Sequence, residues 1–352
     1  MPVWVTPRGT SAWRALALAA VLSLGSCDEG PRAAPLDGPS REARLREIED
    51  ASDAIERLIE ARRTREAELV VRKLLAAVPA ERREARLAEL AARTLFARAQ
   101  LDAAELAKAE REALVREAAL FAKEAARAAP DATRLRFAAL LAGQSGDASG
   151  AARLYDEALA IAPDDLQTVL FAASASLAAR DAVRARPLVA RHAELAPDEA
   201  WSAGLEAQLA LLDGDSARAV ERASAAHARD RELVEVRILL ATALVADGRA
   251  SDAARLLAAL PAEMRATAVI ADALARALTA SGELVAAAGA WEHARRANPT
   301  DAFVRAETAI ATLRAGDRAG AAVLLDGFES LVDGMRERLR VEEAIRAASA
   351  AE

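Results

Sequence analysis

The 352-residue chain reads as an all-α protein, a solenoid of stacked helix–turn–helix repeats. Three observations predict this. The chain is 53% hydrophobic yet only 3% aromatic, and alanine, the best helix former, supplies much of the apolar content. Charged residues make up 29% and are nearly all Arg, Glu and Asp, with Lys only at 73, 108 and 123; this suits helices with solvated outer faces, and no run reads as a convincing strand. Finally, a turn recurs every 34 residues: SGD at 145, ARD at 179, DGD at 213, DGR at 247, SGE at 281 and AGD at 315.

The front of the chain reads as an address. Arg8 and Arg14 precede an uncharged apolar run from Ala15 to Leu24, and Leu24-Gly25-Ser26 leads into Cys27, the only cysteine. That run falls short of the ~20 apolar residues of a spanning helix, and a charged front, a short apolar core and small residues before a cut site mark a secretory signal. The stretch LGSC also resembles the lipobox of bacterial lipoproteins. The resemblance implies a signal peptide over 1–26 and acylation of Cys27 as the first mature residue. A chain with one cysteine forms no internal disulfide, so packing alone must stabilise it. Residues 27–40 then read as the lipidated cysteine and a tether: DEGPRAAPLDGPS holds three prolines and two glycines. Ser40 suits the N-cap of a helix beginning at Arg41.

Residues 41–131 carry a looser register. Ala67, Val71 and Pro79 suggest a unit at about 48–81, and 82–131 reads as a unit with lengthened helices. From 132 to 335 the period is strict. The central turn residues are Gly146, Arg180, Gly214, Gly248, Gly282 and Gly316; glycine ends a helix in the left-handed conformation at least cost. Seven residues before each turn stands alanine (139, 173, 207, 241, 275, 309), and five after it stands alanine again (151, 185, 219, 253, 287, 321). Nine after come Tyr155, Val189, Ala223, Leu257, Trp291 and Leu325; seventeen after come Pro163, Pro197 and Pro299, with Arg231, Arg265 and Asp333 departing. Small residues fall where two helix axes meet, a bulky one fills the gap beside them, and proline closes the second helix. Such a unit buries its apolar face only against neighbours, so the units must stack. Residues 336–352 read as a charged amphipathic capping helix.

A 34-residue helix–turn–helix with small residues at its eighth and twentieth positions, a large apolar residue at the twenty-fourth and proline at the thirty-second resembles the tetratricopeptide repeat (TPR). Ala139, Ala151, Tyr155, Ala158 and Pro163 match one unit, and Ala275, Ala287, Trp291, Ala294 and Pro299 another. The Trp, Leu-Gly and Tyr of the consensus first helix are largely missing. The resemblance implies a right-handed solenoid whose first helices line a concave groove. Its groove positions translate here to Thr133, Arg136, Phe137, Leu140 and Gln144; to Gln167, Leu170, Phe171, Ser174 and Leu177; to Trp201, Leu205, Gln208 and Leu211; to Glu235, Ile238, Leu239 and Thr242; and to Asp272, Arg276, Phe303 and Arg314. The carboxylate clamp of some TPR domains, built on Lys, Arg and Asn, is absent: Asn298 is the only asparagine and lies in an inter-repeat turn.

Other chemistries are not written in the chain. His192, His227 and His293 fall at or near one repeat position and lack metal-ligand spacing. LLAGQSGDASG at 140–150 is a repeat turn without the Gly-Lys-Ser/Thr of a phosphate loop. The net charge of -7 argues against nucleic-acid binding, which needs a basic face. No catalytic set, cofactor or metal is expected. The expectation is a bacterial envelope lipoprotein, facing the periplasm and held by Cys27 in a membrane whose identity, inner or outer, stays open. Its groove would hold a protein partner, as related-looking lipoproteins do in building pili, secretins or outer-membrane proteins or in exporting polysaccharide. A glycan- or small-molecule-binding module and a cryptic enzyme are the alternatives; the oligomeric state is open.

Overall fold

The computed structural model describes residues 41–78, 83–102, 105–331 and 333–350; the leader, Cys27, the tether and Ser40 lie outside the described residues. All regular structure among the described residues is helical. The chain divides into two compact units, one ending at Leu195 and the other beginning at Ala196.

The first unit comprises α1 (Arg41–Glu60), α2 (Thr64–Ala77), α3 (Ala85–Leu101), α4 (Lys108–Ala128), α5 (Ala132–Gln144), α6 (Ala148–Ile161), α7 (Leu166–Ala178) and α8 (Ala182–Leu195). The second comprises α9 (Ala200–Asp213), α10 (Ser216–Arg229), α11 (Val234–Ala246), α12 (Ala250–Ala258), the short α13 (Ala262–Arg265), α14 (Ala268–Ser281), α15 (Leu284–Ala297), α16 (Ala302–Arg314), α17 (Arg318–Val323) and α18 (Gly334–Ala350). Within each unit the helices pack chiefly on their sequence neighbours, and first helices of successive hairpins also touch, as α5 touches α7 and α9 touches α11. Local pairing of this kind is the packing of a helical-repeat array. The regular hairpins use helices of 13 and 14 residues, as in α5 and α6, whereas α3 and α4 run to 17 and 21.

The turn geometry follows the sequence register. Gly146, Gly214, Gly248, Gly282 and Gly316 have φ between 78° and 94°, and Arg180 adopts φ 59° at the one turn without glycine. Each of the six makes the same backbone pair. The turn amide donates three residues back (Gly146 to Gly143, 3.1 Å), and the next amide donates five back (Asp147 to Ala142, 2.9 Å). These bonds satisfy carbonyls that a helix end leaves open. A seventh copy sits at Arg62, φ 56°, where Arg62 donates to Ile59 and Arg63 to Leu58. Counted from Arg62, Ala67 and Val71 fall five and nine residues on, and both are buried. That position places the α1–α2 hairpin in the same plan as the regular ones.

The residue after the turn starts the second helix. Asp147, Asp181, Asp215 and Asp317 accept from the amides of Gly150, Arg184, Arg218 and Gly320, at 2.7 to 3.0 Å. Arg249 and Glu283 stand at the other two turns without a side-chain cap. Asp131, Asp165 and Asp301 cap the first helices α5, α7 and α16 in the same way. An aspartate cap contributes about 1 kcal/mol.

Both alanine columns are buried at all six turns. Side chains that small let the helix axes approach closely, so dispersion contacts accumulate between backbones rather than between large side chains. Tyr155, Val189, Ala223, Leu257 and Trp291 fill the space beside them and are buried too. The column breaks at its last member. Helix α17 has only six residues, and Leu325 is half-buried. Phe328, in a short 3-10 turn, is fully buried against Ala302, Ala306, Ala309, Ile310 and Val341 and takes the filling role instead. The expected full second helix in the sixth repeat is therefore replaced by a short helix and a plug. The column of closing prolines fails at Arg265 for a local reason: Pro261 comes four residues earlier and ends α12 at nine residues.

An added Cβ at Gly146, Gly214, Gly248, Gly282 or Gly316 would touch nothing within 4 Å. The requirement for glycine is thus the backbone angle alone. Arg180→Gly should raise stability by about 0.5–1 kcal/mol, and Gly248→Ala should lower it by about 1–2 kcal/mol, read from urea denaturation midpoints. Equal effects at the two positions would show that the left-handed angle is not what the turn demands.

Candidate interaction face

The positions that the TPR resemblance assigns to the groove fall into two classes. In the first unit most are interior. Phe137 is 4% exposed and meets Phe96 of α3 edge to face, with ring centroids 6.3 Å apart. Leu140, Leu170, Phe171 and Leu177 are also buried. Arg136 is buried as well; its guanidinium pairs with the carboxylate of Asp165 and lies 3.4 Å from the Thr168 hydroxyl, joining α5 to the start of α7. Gln144 is half-buried and accepts from Gln100 at 3.3 Å. Thr133 and Ser174 are half-buried and Gln167 is exposed. Of the positions assigned to the groove, Arg136, Phe137, Leu140, Leu170 and Phe171 are thus enclosed rather than presented to solvent. These side chains are interior filling of the first unit.

The second unit differs. Leu205 is buried, but Trp201, Gln208, Leu211, Glu235, Ile238, Leu239, Asp272, Arg276 and Phe303 are half-buried, and Thr242 and Arg314 are exposed. These residues come from α9, α11, α14 and α16, the first helices of four consecutive hairpins. A Cβ built on Gly204 would lie 3.7 Å from a methyl of Leu239, which shows how closely α9 and α11 approach. Leu211, Ile238, Leu239 and Phe303 lean on the unit's core without being enclosed by it. The second unit therefore keeps the row that the first unit has sealed.

One end of the row is rigid. Asp272 holds Arg276 with two hydrogen bonds of 2.8 and 3.0 Å across one helical turn. The Arg276 guanidinium lies 5.3 Å from the Phe303 ring and 5.6 Å from the Trp291 ring, and the two rings meet edge to face at 6.4 Å. Arg340 of α18 sits 5.5 Å from the same Phe303 ring and pairs with Glu307 and Glu337. Each stacked arginine is thus neutralised by carboxylates. The cluster ties α14, α15, α16 and α18 together and is not an open anion site.

Charge is unevenly shared between the units. Residues 41–195 carry 26 basic and 26 acidic side chains, whereas 196–352 carry 18 and 25. The entire net charge of -7 therefore belongs to the second unit, whose field favours approach of cationic groups.

No described helix is long and apolar enough to cross a membrane. No three His, Cys, Asp or Glu side chains among the described residues converge to hold a metal. His192 is buried, His227 half-buried and His293 exposed. The imidazole of His227 is pushed below its usual pKa by burial and by Arg237 and Arg231, against a smaller opposing effect of Asp230. A lowered folded pKa means that the unfolded chain takes up the proton first. Stability is then complete above the unfolded value of about 6.5 and falls as pH drops from there.

No protein-family model matches the chain, and no curated protein matches it in sequence. Solved structures do match in fold. A tetratricopeptide repeat protein from Parabacteroides merdae aligns with a TM-score of 0.59 at 13% identity, covering 76% of this chain and 99% of that one. Yeast Tom70 aligns with a TM-score of 0.59 at 15% identity, covering 96% and 69%. The hetero-tetramer Cut9-Hcn1 aligns with a TM-score of 0.54 at 13% identity, covering 87% and 55%. At these identities the likeness is one of fold, and the fold is that of tetratricopeptide repeat proteins.

Two outcomes follow. Phe303→Ala removes the ring that both arginines flank and should cost about 2 kcal/mol; amide hydrogen exchange across 334–350 should then rise before exchange elsewhere in the unit. Wild-type stability should fall relative to His227→Gln as pH is lowered from about 6.5, measured by denaturation at each pH; parallel curves would remove His227 as a cause.

Proposed function

We propose that this TPR-fold chain is a lipid-anchored scaffold of the bacterial envelope that holds a protein partner on the first-helix face of its second unit. The observation that carries the reading is the row of half-buried side chains Trp201, Leu211, Ile238, Leu239 and Phe303, with Gln208 and Glu235 beside them. Apolar side chains left partly uncovered along consecutive helices suit an apolar helix or extended segment, with an aromatic anchor at one end. TPR-like folds generally mediate protein–protein interaction, which supports the same reading. The anchor rests on the stretch LGSC and Cys27, and the orientation toward the periplasm follows from it. Pilus, secretin, outer-membrane-protein and polysaccharide-export assembly are the settings in which such a scaffold would serve.

Sugar binding fits the face less well. Trp291 is interior, and Arg276 and Arg340 already lie 5.3 and 5.5 Å from the Phe303 ring, so Trp201 alone of the three rings is left for a sugar to stack on. No catalytic pair is assigned.

The test uses the full chain in its own membranes. Cys27→Ser should move the protein from the membrane to the soluble fraction. Trp201→Ala combined with Ile238→Ala should weaken co-purification of the partner from detergent extracts by at least about tenfold, with unchanged helical circular dichroism. Retention of the Cys27→Ser protein on the membrane would remove the anchor. Unchanged partner recovery with the double variant would remove the face.

A further inference from the structure

The first unit carries a separate surface between α4 and α6. A half-open cleft of about 540 Å³ is lined by Lys123, Arg127, Pro130, Leu135, Arg153 and Leu154. It runs on into a shallower hollow of about 650 Å³ that shares Lys123 and Arg127 and adds Arg83, Leu120 and Glu124. Leu120 is 69% exposed, which makes it one of the least covered large apolar side chains described.

The cations of this surface differ in how they are matched. Arg83 pairs with Glu124 at 3.0 Å and Lys123 with Asp147 at 2.7 Å. The Lys123 ammonium holds the Asp147 carboxyl at about 2, so that carboxylate stays ionised at neutral pH. Arg127 and Arg153 are exposed, and neither makes an ion pair among the described residues. Glu157 also lines the cleft but is joined to neither of them. Two guanidiniums that make no ion pair among the described residues thus stand over Leu135 and Leu154, with Leu120 in the adjoining hollow.

We propose that this cleft docks an acidic segment of a protein partner, with Arg127 and Arg153 receiving its carboxylates and Leu120 and Leu154 its apolar side chains. The arginine fork matches a carboxylate with two parallel hydrogen bonds. Two uncompensated cations are too few for an anionic membrane surface, where clusters of roughly four to eight Lys and Arg are typical. They are also too few for a nucleic acid, because residues 41–195 have no net charge to add to them. The site uses no residue of the first-helix face and stands or falls independently of it.

The direct test is fluorescence anisotropy of a labelled peptide of repeating Glu-Leu-Glu against the full Cys27→Ser chain, with a Lys-Leu-Lys peptide as its counterpart. The acidic peptide should bind, should weaken as salt rises, and should weaken at least about tenfold on Arg127→Glu with Arg153→Glu. Leu120→Ser should weaken it too. Trp201→Ala should leave it unchanged, which separates this cleft from the proposed partner face. All three substituted cleft residues are exposed, so circular dichroism should be unaltered. Absence of binding, equal binding of the two peptides, or wild-type affinity in the double arginine variant would overturn the proposal. So would arginine-dependent sedimentation with phosphatidylglycerol vesicles that the acidic peptide fails to compete, since the surface would then be a membrane contact.

Discussion

Reversal of the chain through a left-handed residue, at a fixed distance from two buried alanines, is the constraint on which the rest of each unit depends. The turn ends one helix with two backbone bonds to its last carbonyls, and at four of the six regular turns the next residue is an aspartate that begins the second helix. Two residues thus terminate one element and initiate another. The alanine columns then decide how near the two helices lie. Neither device buries much area alone, so cohesion comes from repetition, as in a one-dimensional array of modest units joined by their interfaces.

Burial of the first-helix positions has a consequence for function. In the first unit Phe137, Leu140, Leu170 and Phe171 are buried, so the face has no reserve of apolar surface there and its large side chains serve the interior. In the second unit Ile238 and Leu239 hold the fifth and sixth positions, as Leu170 and Phe171 do in the first, yet stay half-buried; Trp201 and Phe303 stand at the second position, which is half-buried at Thr133 and exposed at Gln167 in the first unit. One repeat plan therefore yields a sealed unit and a receptive one. The receptive unit also carries the whole net charge, and its far end is stiffened by the Arg276–Phe303–Arg340 stack and plugged by Phe328. The units thus differ in face, charge and ending while sharing one local geometry.

The period was legible because glycine advertises it, and the alanine columns confirmed it at every regular turn. What glycine does not mark was harder to read. The turn at Arg62 follows the same geometry, yet an arginine carries no signal for a left-handed angle. The aspartates at 147, 181, 215 and 317 were a readable second signal, since an Asx cap directly after the residue that ends a helix has a physical reason. The fate of the groove positions was not legible. The sixth position of a first helix is buried at Phe137, Phe171 and Leu205 but half-buried at Leu239, and the residue type there does not signal which. The plug at Phe328 was hidden for a related reason: Leu325 holds the expected column, but α17 stops at Val323, so a residue three places on fills the space.

Close helix approach at the alanine columns can be measured directly. Ala241→Leu and Ala275→Leu should each lower the free energy of unfolding by about 1–3 kcal/mol, because the added carbons have no space between the paired helices. Ala160→Leu and Ala286→Leu, at exposed helical positions, should leave it within about 0.5 kcal/mol. Equal tolerance at all four positions would contradict a fold held together by small residues at a fixed spacing.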